Sequence, residues 1–203
     1  TMKLVIMTKS TFFVEEDKIL TTLFDEGMDN LHLFKPGSTP LYAERLLSLI
    51  PEDYYRKITV HDHFYLKNEY DLAGIHLDSA DTEIPNNYKG KIGRTCTDIQ
   101  MLKEMKKKSS CVFLKNIFDC IEFSEEKKTF TQQQLEDAAD KGLIDRHVYA
   151  LGGMSLDNIR MAKTLGFGGV VICGDLWSRF DIHNQTDFKE LIAHFEKLRN
   201  AVR

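Results

Sequence analysis

Short apolar runs rich in Val, Ile, Leu and Phe recur eight times along the 203 residues, about once every 25 residues. They cover residues 3–8, 29–34, 56–61, 73–77, 91–95, 110–116, 147–151 and 169–173. Amphipathic helical patterns separate most of them, and 78–90 is the one connection predicted to be a loop without a helix. Because alternating strands and helices are typical of a parallel sheet covered by helices, the pattern predicts an α/β fold. Eight such units indicate a single (β/α)8 TIM barrel over residues 1–203.

An open doubly wound sheet is the competing architecture. Such a sheet usually has a GxGxxG turn after its first strand, whereas residues 8–11 read TKST. No linker, low-complexity tract or close internal repeat indicates a second domain. The barrel is therefore preferred, and its chemistry is expected where the strands end and the following loops begin.

The composition of the chain limits the kinds of partner that it is expected to bind. The net charge of −4 and the pI near 6.0 give no reason to expect nucleic acid or an acidic membrane surface. No apolar stretch approaches the roughly 20 residues needed to cross a bilayer, and we expect no signal peptide before the first strand. The four cysteines lack CxxC spacing, which favours reduced thiols in a cytoplasmic protein. This composition is compatible with a homo-oligomer.

Two strand ends carry the strongest functional signal. Residues 148–154 read VYALGGM and residues 168–174 read GGVVICG, with a helical pattern between them. Glycine at a strand tip lets the backbone approach a ligand closely and leaves N–H groups free to point outward. Two such tips around one helix are typical of the phosphate site after strands 7 and 8 of a TIM barrel. The sequence therefore predicts an enzyme that acts on phosphorylated small molecules.

Polar residues at the predicted strand ends form the remaining shortlist. They include Thr8, Lys9, His32, Lys35, His61, Asp62, His63, His76, Asp78, Asp81, Thr95, Thr97, Lys115, Asn116, Cys173 and Asp175. Carboxylates and cations occur together, which suits Mg²⁺ bridged to phosphate or pyrophosphate. His61 and His63 would share one face of a strand tip, and imidazole also suits Zn²⁺ or Fe²⁺, with His32 or His76 as a third ligand. Hydrogen-bonding histidines that line a polar pocket are the preferred interpretation.

The order and spacing of these motifs resemble the thiamine-phosphate synthase and TenI family of TIM barrels. The likeness covers nearly the whole chain and rests on residues 73–77 (AGIHL), 150–154 (ALGGM) and 166–174 (GFGGVVICG). The resemblance implies an enzyme of thiamine biosynthesis. Such a synthase joins a pyrimidine methyl diphosphate to a thiazole phosphate and releases pyrophosphate with Mg²⁺ at the site.

The resemblance also implies roles for individual residues. Asp62 and Asp81 would bind Mg²⁺. The catalytic set that it implies is Lys35, His61, Thr95, Lys115 and Lys128, with Lys127 as an alternative to Lys128. The substrate-binding set is His32, His76, Gly152, Gly153, Cys173 and Gly174. The last four of these would offer backbone N–H groups to the thiazole phosphate.

The sequence departs from the family pattern where pyrophosphate would be held. The family's second-strand Gln-x-Arg-x-Lys aligns with residues 32–36, which puts Phe34 at the arginine and shifts the lysine to Lys35. The sixth-strand Gly-Pro is replaced by Lys115 and Asn116. Loss of the arginine would remove a few kcal/mol of charge stabilisation, so a weak or altered activity is expected.

Two other functions are retained as alternatives. A TenI-like thiazole tautomerase would need neither metal nor pyrimidine, and His32, His61 or His76 would transfer the proton. The histidine that such enzymes carry after strand 5 is Thr97 here. A non-catalytic sensor or partner protein would keep the phosphate site and bind thiazole phosphate without turnover.

Overall fold

Eight parallel strands form one closed barrel in chain order, with the last strand hydrogen-bonded to the first. The computed structural model describes residues 1–203, apart from the side chain of Gln185. The strands are β1 (Lys3–Met7), β2 (Leu31–Leu33), β3 (Ile58–Val60), β4 (Gly74–Leu77), β5 (Lys91–Cys96), β6 (Cys111–Leu114), β7 (Val148–Ala150) and β8 (Gly169–Ile172). Each lies within or overlaps a predicted run, so the (β/α)8 TIM barrel is confirmed.

Helices cover the outside of the barrel. They are α1 (Glu16–Asp25), α2 (Pro40–Leu49), α3 (Leu66–Glu69), α4 (Leu102–Lys107), α5 (Gln132–Asp140), α6 (Ile159–Leu165), α7 (Gly174–Trp177) and α8 (Gln185–Ala201). Short 3₁₀ helices span Glu52–Lys57, Ile99–Met101 and Leu156–Asn158. The connection 78–90 contains turns and no helix, as predicted.

Local sequence signals explain several helix boundaries. Pro40 occupies the first turn of α2, where its missing N–H has no intrahelical partner to lose. α5 begins at a capping box, in which Thr131 and Gln134 satisfy each other's backbone N–H groups. α6 ends at Gly166, whose φ of 89° is the left-handed conformation that glycine adopts without a Cβ penalty.

The apolar core has two parts. The larger part lies between the strands and the helices. The smaller part lies inside the barrel and consists of Val5, Met7, Phe113 and Val171. Phe113 is fully buried and packs against the rings of His32 and His76, with centroid distances of 5.1 and 4.3 Å. The barrel interior is therefore apolar on the β1, β6 and β8 side and carries imidazoles on the β2 to β4 side.

All four cysteines are free thiols, with Cys96 buried and Cys111, Cys120 and Cys173 half-buried. Among the described residues, no helix combines the length and apolar content that a membrane crossing requires.

Candidate active site

Three buried imidazoles lie together inside the barrel, near the carboxyl ends of β2, β3 and β4. They belong to His32, His61 and His76, and one ring nitrogen of each lies within 4.8 Å of the other two. The rings of His61 and His76 stack with their centroids 4.5 Å apart. Because parallel strands end at the same rim, residues far apart along the chain meet here. The structure thus brings together three residues that the sequence placed on the shortlist.

A hydrogen-bonded chain runs from the rim into this cluster. The carboxylate oxygens of Asp78 lie 2.9 and 3.0 Å from Nδ1 of His61. Since a carboxylate only accepts, Nδ1 of His61 donates to Asp78. Nε2 of His61 shares a hydrogen bond of 2.8 Å with Nδ1 of His32. The side chain of Asp78 is 41% exposed, whereas that of His61 is fully shielded. The ring of Phe34 packs edge-on against His61, with centroids 5.5 Å apart.

Burial keeps two of these imidazoles neutral. Burial lowers the pKa of His32 well below its ordinary value, and the neighbouring His61 lowers it further. The pKa of His76 is lowered in the same way, first by burial and then by His61 and His32. Nε2 of His76 lies 2.8 Å from the Thr95 hydroxyl, while Nδ1 is buried without a hydrogen-bond partner among the described residues. A Cβ on Gly93 would lie 2.5 Å from that Nδ1, so only glycine leaves room for this ring.

The geometry of the cluster favours hydrogen bonding over metal binding. Three imidazoles match the ligands of many zinc sites. The planes of His61 and His76, however, differ by only 21°. Their nitrogen lone pairs therefore lie in nearly parallel, stacked planes and do not converge on one ion. Nε2 of His61 is also engaged by His32. His63 lies apart, with Nε2 2.9 Å from the carbonyl oxygen of Ser38.

Acidic side chains lie on the rim above the imidazoles. Asp62 and Asp81, the predicted Mg²⁺ ligands, are both exposed on the connections after β3 and β4. Part of the Asp62 carboxyl is nevertheless shielded from water, and this partial burial raises its pKa; His63 opposes the rise and the Asp78 carboxylate adds to it. The backbone N–H of Asp81 donates to Ser79 Oγ at 3.3 Å. The structure therefore gives Asp62 an acidic neighbour, Asp78, that the sequence analysis did not pair with it.

Lys35 forms a buried ion pair. Its Nζ lies 2.6 Å from Oε2 of Glu16, and the two side chains are 3% and 2% exposed. Nζ also donates to the carbonyl oxygen of Thr11 at 2.8 Å and lies 4.7 Å from the ring centroid of Phe12. Burial lowers the pKa of Lys35 and raises the pKa of Glu16 to about 7. The predicted pyrophosphate cation is thus held by the protein's own carboxylate.

The side chains of Lys115 and Lys127 also contact acidic side chains of the chain. Lys115 Nζ lies 3.0 Å from Oε1 of Glu126, and both side chains are 32% exposed. Lys127 Nζ lies 4.0 Å from Oδ2 of Asp119. The other oxygen of that carboxylate, Oδ1, accepts a hydrogen bond from the backbone N–H of Lys128 at 2.8 Å. The Lys128 side chain is exposed. A phosphate-bearing ligand would have to compete for Lys115.

The glycines at the end of β7 are required by their backbone conformation and by close packing. Gly152 and Gly153 have φ of 106° and 63°, a region that disfavours a side chain. A Cβ on Gly152 would lie 2.8 Å from the backbone nitrogen of Asn116, and one on Gly153 would lie 2.2 Å from the carbonyl oxygen of Asp119. The close approach predicted for a ligand is therefore made by the β6–α5 connection (residues 115–131).

The same connection covers the end of β8. A Cβ on Gly174 would lie 2.5 Å from Cβ of Ile121. Glu122 follows Ile121 in the chain. Its Oε2 accepts a hydrogen bond from the Cys173 thiol at 3.1 Å. Its Oε1 accepts the backbone N–H of Ser10 at 3.1 Å and the Ser10 hydroxyl. Burial raises the pKa of the Cys173 thiol well above its ordinary value, and Glu122 adds to the rise, so the thiol keeps its proton.

Sequence reasoning missed three residues of this site. Ser10 lies in the TKST segment, which was compared only with a glycine-rich turn. Glu122 lies between Asn116 and Lys127, where no acidic residue was a candidate. The signal for Gly93 was a lone glycine within a strand pattern, which indicates close approach of another group.

No family model and no curated protein matches the chain. Thiamine phosphate pyrophosphorylase from Bacteroides thetaiotaomicron matches it at 44% identity with a TM-score of 0.89, over 98% of this chain and 97% of that chain.

More distant solved structures share the fold alone. Thiamine phosphate pyrophosphorylase from Pyrococcus furiosus is 17% identical with a TM-score of 0.73, over 99% of this chain and 95% of that chain. A 3-hexulose-6-phosphate synthase is 14% identical with a TM-score of 0.62 over 100% of both chains. The 44% identity over nearly the full length is what decides the family. The chain belongs to the thiamine phosphate pyrophosphorylase family of thiamine biosynthesis.

Proposed function

We propose that the chain condenses a pyrimidine methyl diphosphate with a thiazole phosphate and releases pyrophosphate. The observation that carries this proposal is the 44% identity to a protein named thiamine phosphate pyrophosphorylase. The barrel mouth supports it, because Asp62 and Asp78 follow β3 and β4 while Gly152 and Gly174 follow β7 and β8, four strands away around the barrel. A two-part substrate can therefore place its two phosphate groups on opposite sides of the mouth.

Mg²⁺ fits the acidic side of the mouth. Mg²⁺ prefers one or two carboxylates together with substrate phosphates, and Asp62 and Asp78 offer carboxylate oxygens at the rim. Burial is the main cause of the raised pKa of Asp62, and the Asp78 carboxylate adds to it; a cation would relieve the added repulsion. When bound, Mg²⁺ would neutralise charge on the departing pyrophosphate. The Thr95 hydroxyl, held by His76, would orient the same group.

A slow reaction is expected from the surrounding charges. Lys35 and Lys115 are paired with Glu16 and Glu126 in this structure. Phe34 stands where an arginine would meet pyrophosphate. Because the loss of one preorganised charge-stabilising contact typically lowers kcat about 10²- to 10³-fold, we expect turnover well below that of a complete site.

The direct test supplies both substrates and Mg²⁺ to the purified chain and measures pyrophosphate release together with the condensed product. D62N and D78N should each lower the rate at least about tenfold. D71N is the matched control, because Asp71 precedes β4 at the opposite end of the barrel, where it pairs with Arg56. No product above the D62N background would refute the proposal. A loss in D81N but not in D78N would identify Asp81, the ligand that the resemblance implies, as the second metal ligand.

A tautomerase is the second candidate, favoured by the hydrogen-bonded chain of Asp78, His61 and His32. A neutral imidazole oriented by a carboxylate can accept and return a proton. Conversion of the thiazole phosphate tautomer to the aromatic form, without Mg²⁺ and abolished in H61N but not in H63N, would select this function. A rise in melting temperature with thiazole phosphate, and no turnover in either assay, would instead select the non-catalytic binding protein.

A further inference from the structure

Glu122 places a carboxylate in a pocket of hydrogen-bond donors at the ends of β1 and β8. The donors are the backbone N–H of Ser10, at 3.1 Å, the Ser10 hydroxyl, and the Cys173 thiol, at 3.1 Å. Three donors around one carboxylate form the kind of arrangement by which proteins hold anions. The two elements that supply them meet only because the barrel closes between β1 and β8.

A buried cation lies close to this pocket. The negative charges of Glu16, Cys173 and Glu122 all raise the pKa of Lys35, against the larger effect of burial. The Lys35 ammonium is therefore near enough to Glu122 for their charges to interact. Its charge is already paired with Glu16, so Lys35 adds a positive field to the pocket rather than a free cation. The pocket thus combines hydrogen-bond donors with positive charge.

The segment that carries Glu122 is held over the strand ends by its own contacts. The backbone N–H of Phe118 donates to the carbonyl oxygen of Gly152 at 2.9 Å, and Ile121 packs on Gly174. The backbone N–H of Cys120 donates to the carbonyl oxygen of Glu126 at 2.8 Å, which closes a turn around Glu122. The β6–α5 connection therefore covers the part of the mouth where the phosphate of a ligand is expected.

The resemblance places the phosphate of the ligand at the end of β8, beside Cys173. We propose that Glu122 occupies this site as an internal competitor and holds the donors of Ser10 and Cys173 until a phosphate monoester replaces it. A phosphate group has three acceptor oxygens and more negative charge than a carboxylate, so it can take over the same donors. Glu122 then leaves, and Ile121 moves away from Gly174. The inference depends on the proposed function only in taking the ligand to be a phosphate ester.

The chain contains a natural reporter for this exchange. Trp177 is the single tryptophan, lies in α7 three residues after Gly174, and donates from Nε1 to the carbonyl oxygen of Met7 at 2.7 Å. Displacement of Ile121 from Gly174 changes the surroundings of α7. Binding of a phosphate group should therefore change the fluorescence of Trp177.

The test titrates inorganic phosphate into the full chain and follows Trp177 fluorescence. If Glu122 holds the site in about nine of ten molecules, E122Q should bind phosphate about tenfold more tightly than the wild type. E125Q is the matched control, since Glu125 is an exposed acid on the same connection, and it should bind like the wild type. The double variant S10A/E122Q should lose the phosphate affinity that E122Q gains. Unchanged or weaker binding by E122Q would overturn the inference.

A second measurement on the wild type avoids any effect of substitution on folding. Lys127 and Lys128 are exposed on the β6–α5 connection and are sites for trypsin. Saturating phosphate should speed cleavage there, because displacement of Glu122 loosens the connection. Cleavage that is slowed or unaffected would contradict the exchange. Neither measurement uses turnover, so both can succeed even if the condensation assay fails.

Discussion

The pair of Glu16 and Lys35 shows how burial changes the chemistry that a residue type indicates. A lysine at the end of the second strand was predicted to meet pyrophosphate. In the structure it lies 2.6 Å from Glu16, with both side chains almost fully buried. Desolvation disfavours both charges, so the pKa of Glu16 rises to about 7 and that of Lys35 falls.

This pair predicts a pH dependence of stability. The folded-state pKa of Glu16, about 7, lies above its ordinary value of 4.5. Its contribution to the free energy of unfolding is therefore complete below about pH 4.5 and is lost as the pH rises through 7. A shift of this size corresponds to at most about 3 kcal/mol. Urea unfolding at pH 5 and pH 8 should show the wild type losing stability across this interval.

E16Q provides the comparison for that prediction. It removes the carboxyl that titrates and leaves Lys35 buried without its partner. A lowered lysine pKa gives the opposite slope, because its stabilising contribution is lost as the pH falls. E16Q should therefore show no loss of stability between pH 5 and pH 8. Equal losses in E16Q and the wild type would show that Glu16 is not the source.

The ends of individual elements decide which residues share a surface. Two-residue periodicity predicted that His61 and His63 point to the same side. β3 ends at Val60, however, and His63 has a φ of 51°, so the periodicity does not continue through the connection. The imidazoles that do meet lie in β2, directly after β3 and in β4. The two-residue alternation of side-chain direction therefore holds only within the strand itself.

The start of α5 gives a prediction at this scale. Thr131 Oγ1 accepts the backbone N–H of Gln134 at 3.1 Å, and Gln134 Oε1 accepts the backbone N–H of Thr131 at 2.8 Å. T131A removes the hydroxyl from this capping box and should lower the free energy of unfolding by about 1 kcal/mol. T131S keeps a hydroxyl and should retain most of the stability. Chemical denaturation curves of the three proteins test this, and equal midpoints would show that the cap contributes nothing.

Closure of the barrel joins residues that are distant along the chain. Trp177 donates to the carbonyl oxygen of Met7, 170 positions earlier, and Cys173 and Ser10 meet at the same junction. Inside the barrel, Phe113 contacts rings from three other strands, those of His32, His76 and Tyr149. Its side chain therefore supports the imidazole cluster as well as the apolar core.

Truncation of Phe113 tests this role for the whole molecule. F113A should lower the free energy of unfolding by about 3–5 kcal/mol, because a fully buried aromatic ring is replaced by a cavity. L49A is the matched control, since Leu49 is 56% exposed, and it should change stability by less than about 0.5 kcal/mol. Urea unfolding measures both. A small loss in F113A would mean that the barrel interior collapses around the missing ring.

The architecture could be predicted almost completely from the sequence. Each strand of the barrel falls on an apolar run, and even the helix-free connection 78–90 was expected. The motif order also indicated the family. Hydrophobic periodicity and strand-tip glycines are local properties of a chain, and the number of βα units then decides the topology.

The arrangement of the site could be predicted only in part. The candidates His32, His61 and His76 were on the shortlist, but their contacts were not foreseen. The pairing of Asp78 with His61 and the position of Glu122 beside Ser10 join residues 17 and 112 positions apart. Such contacts depend on how the connections fold over the barrel mouth, and no local pattern encodes that.

The amino-acid sequence by itself therefore determined the barrel, its family and the rim where chemistry is expected. Tertiary structure alone decided which charges are free to meet a ligand. Lys35 and Lys115 are cations in the sequence, but burial and neighbouring carboxylates turn them into members of ion pairs. The physical reason is that the free energy of a charge depends on its solvation and its neighbours, and both are fixed only when the chain has folded.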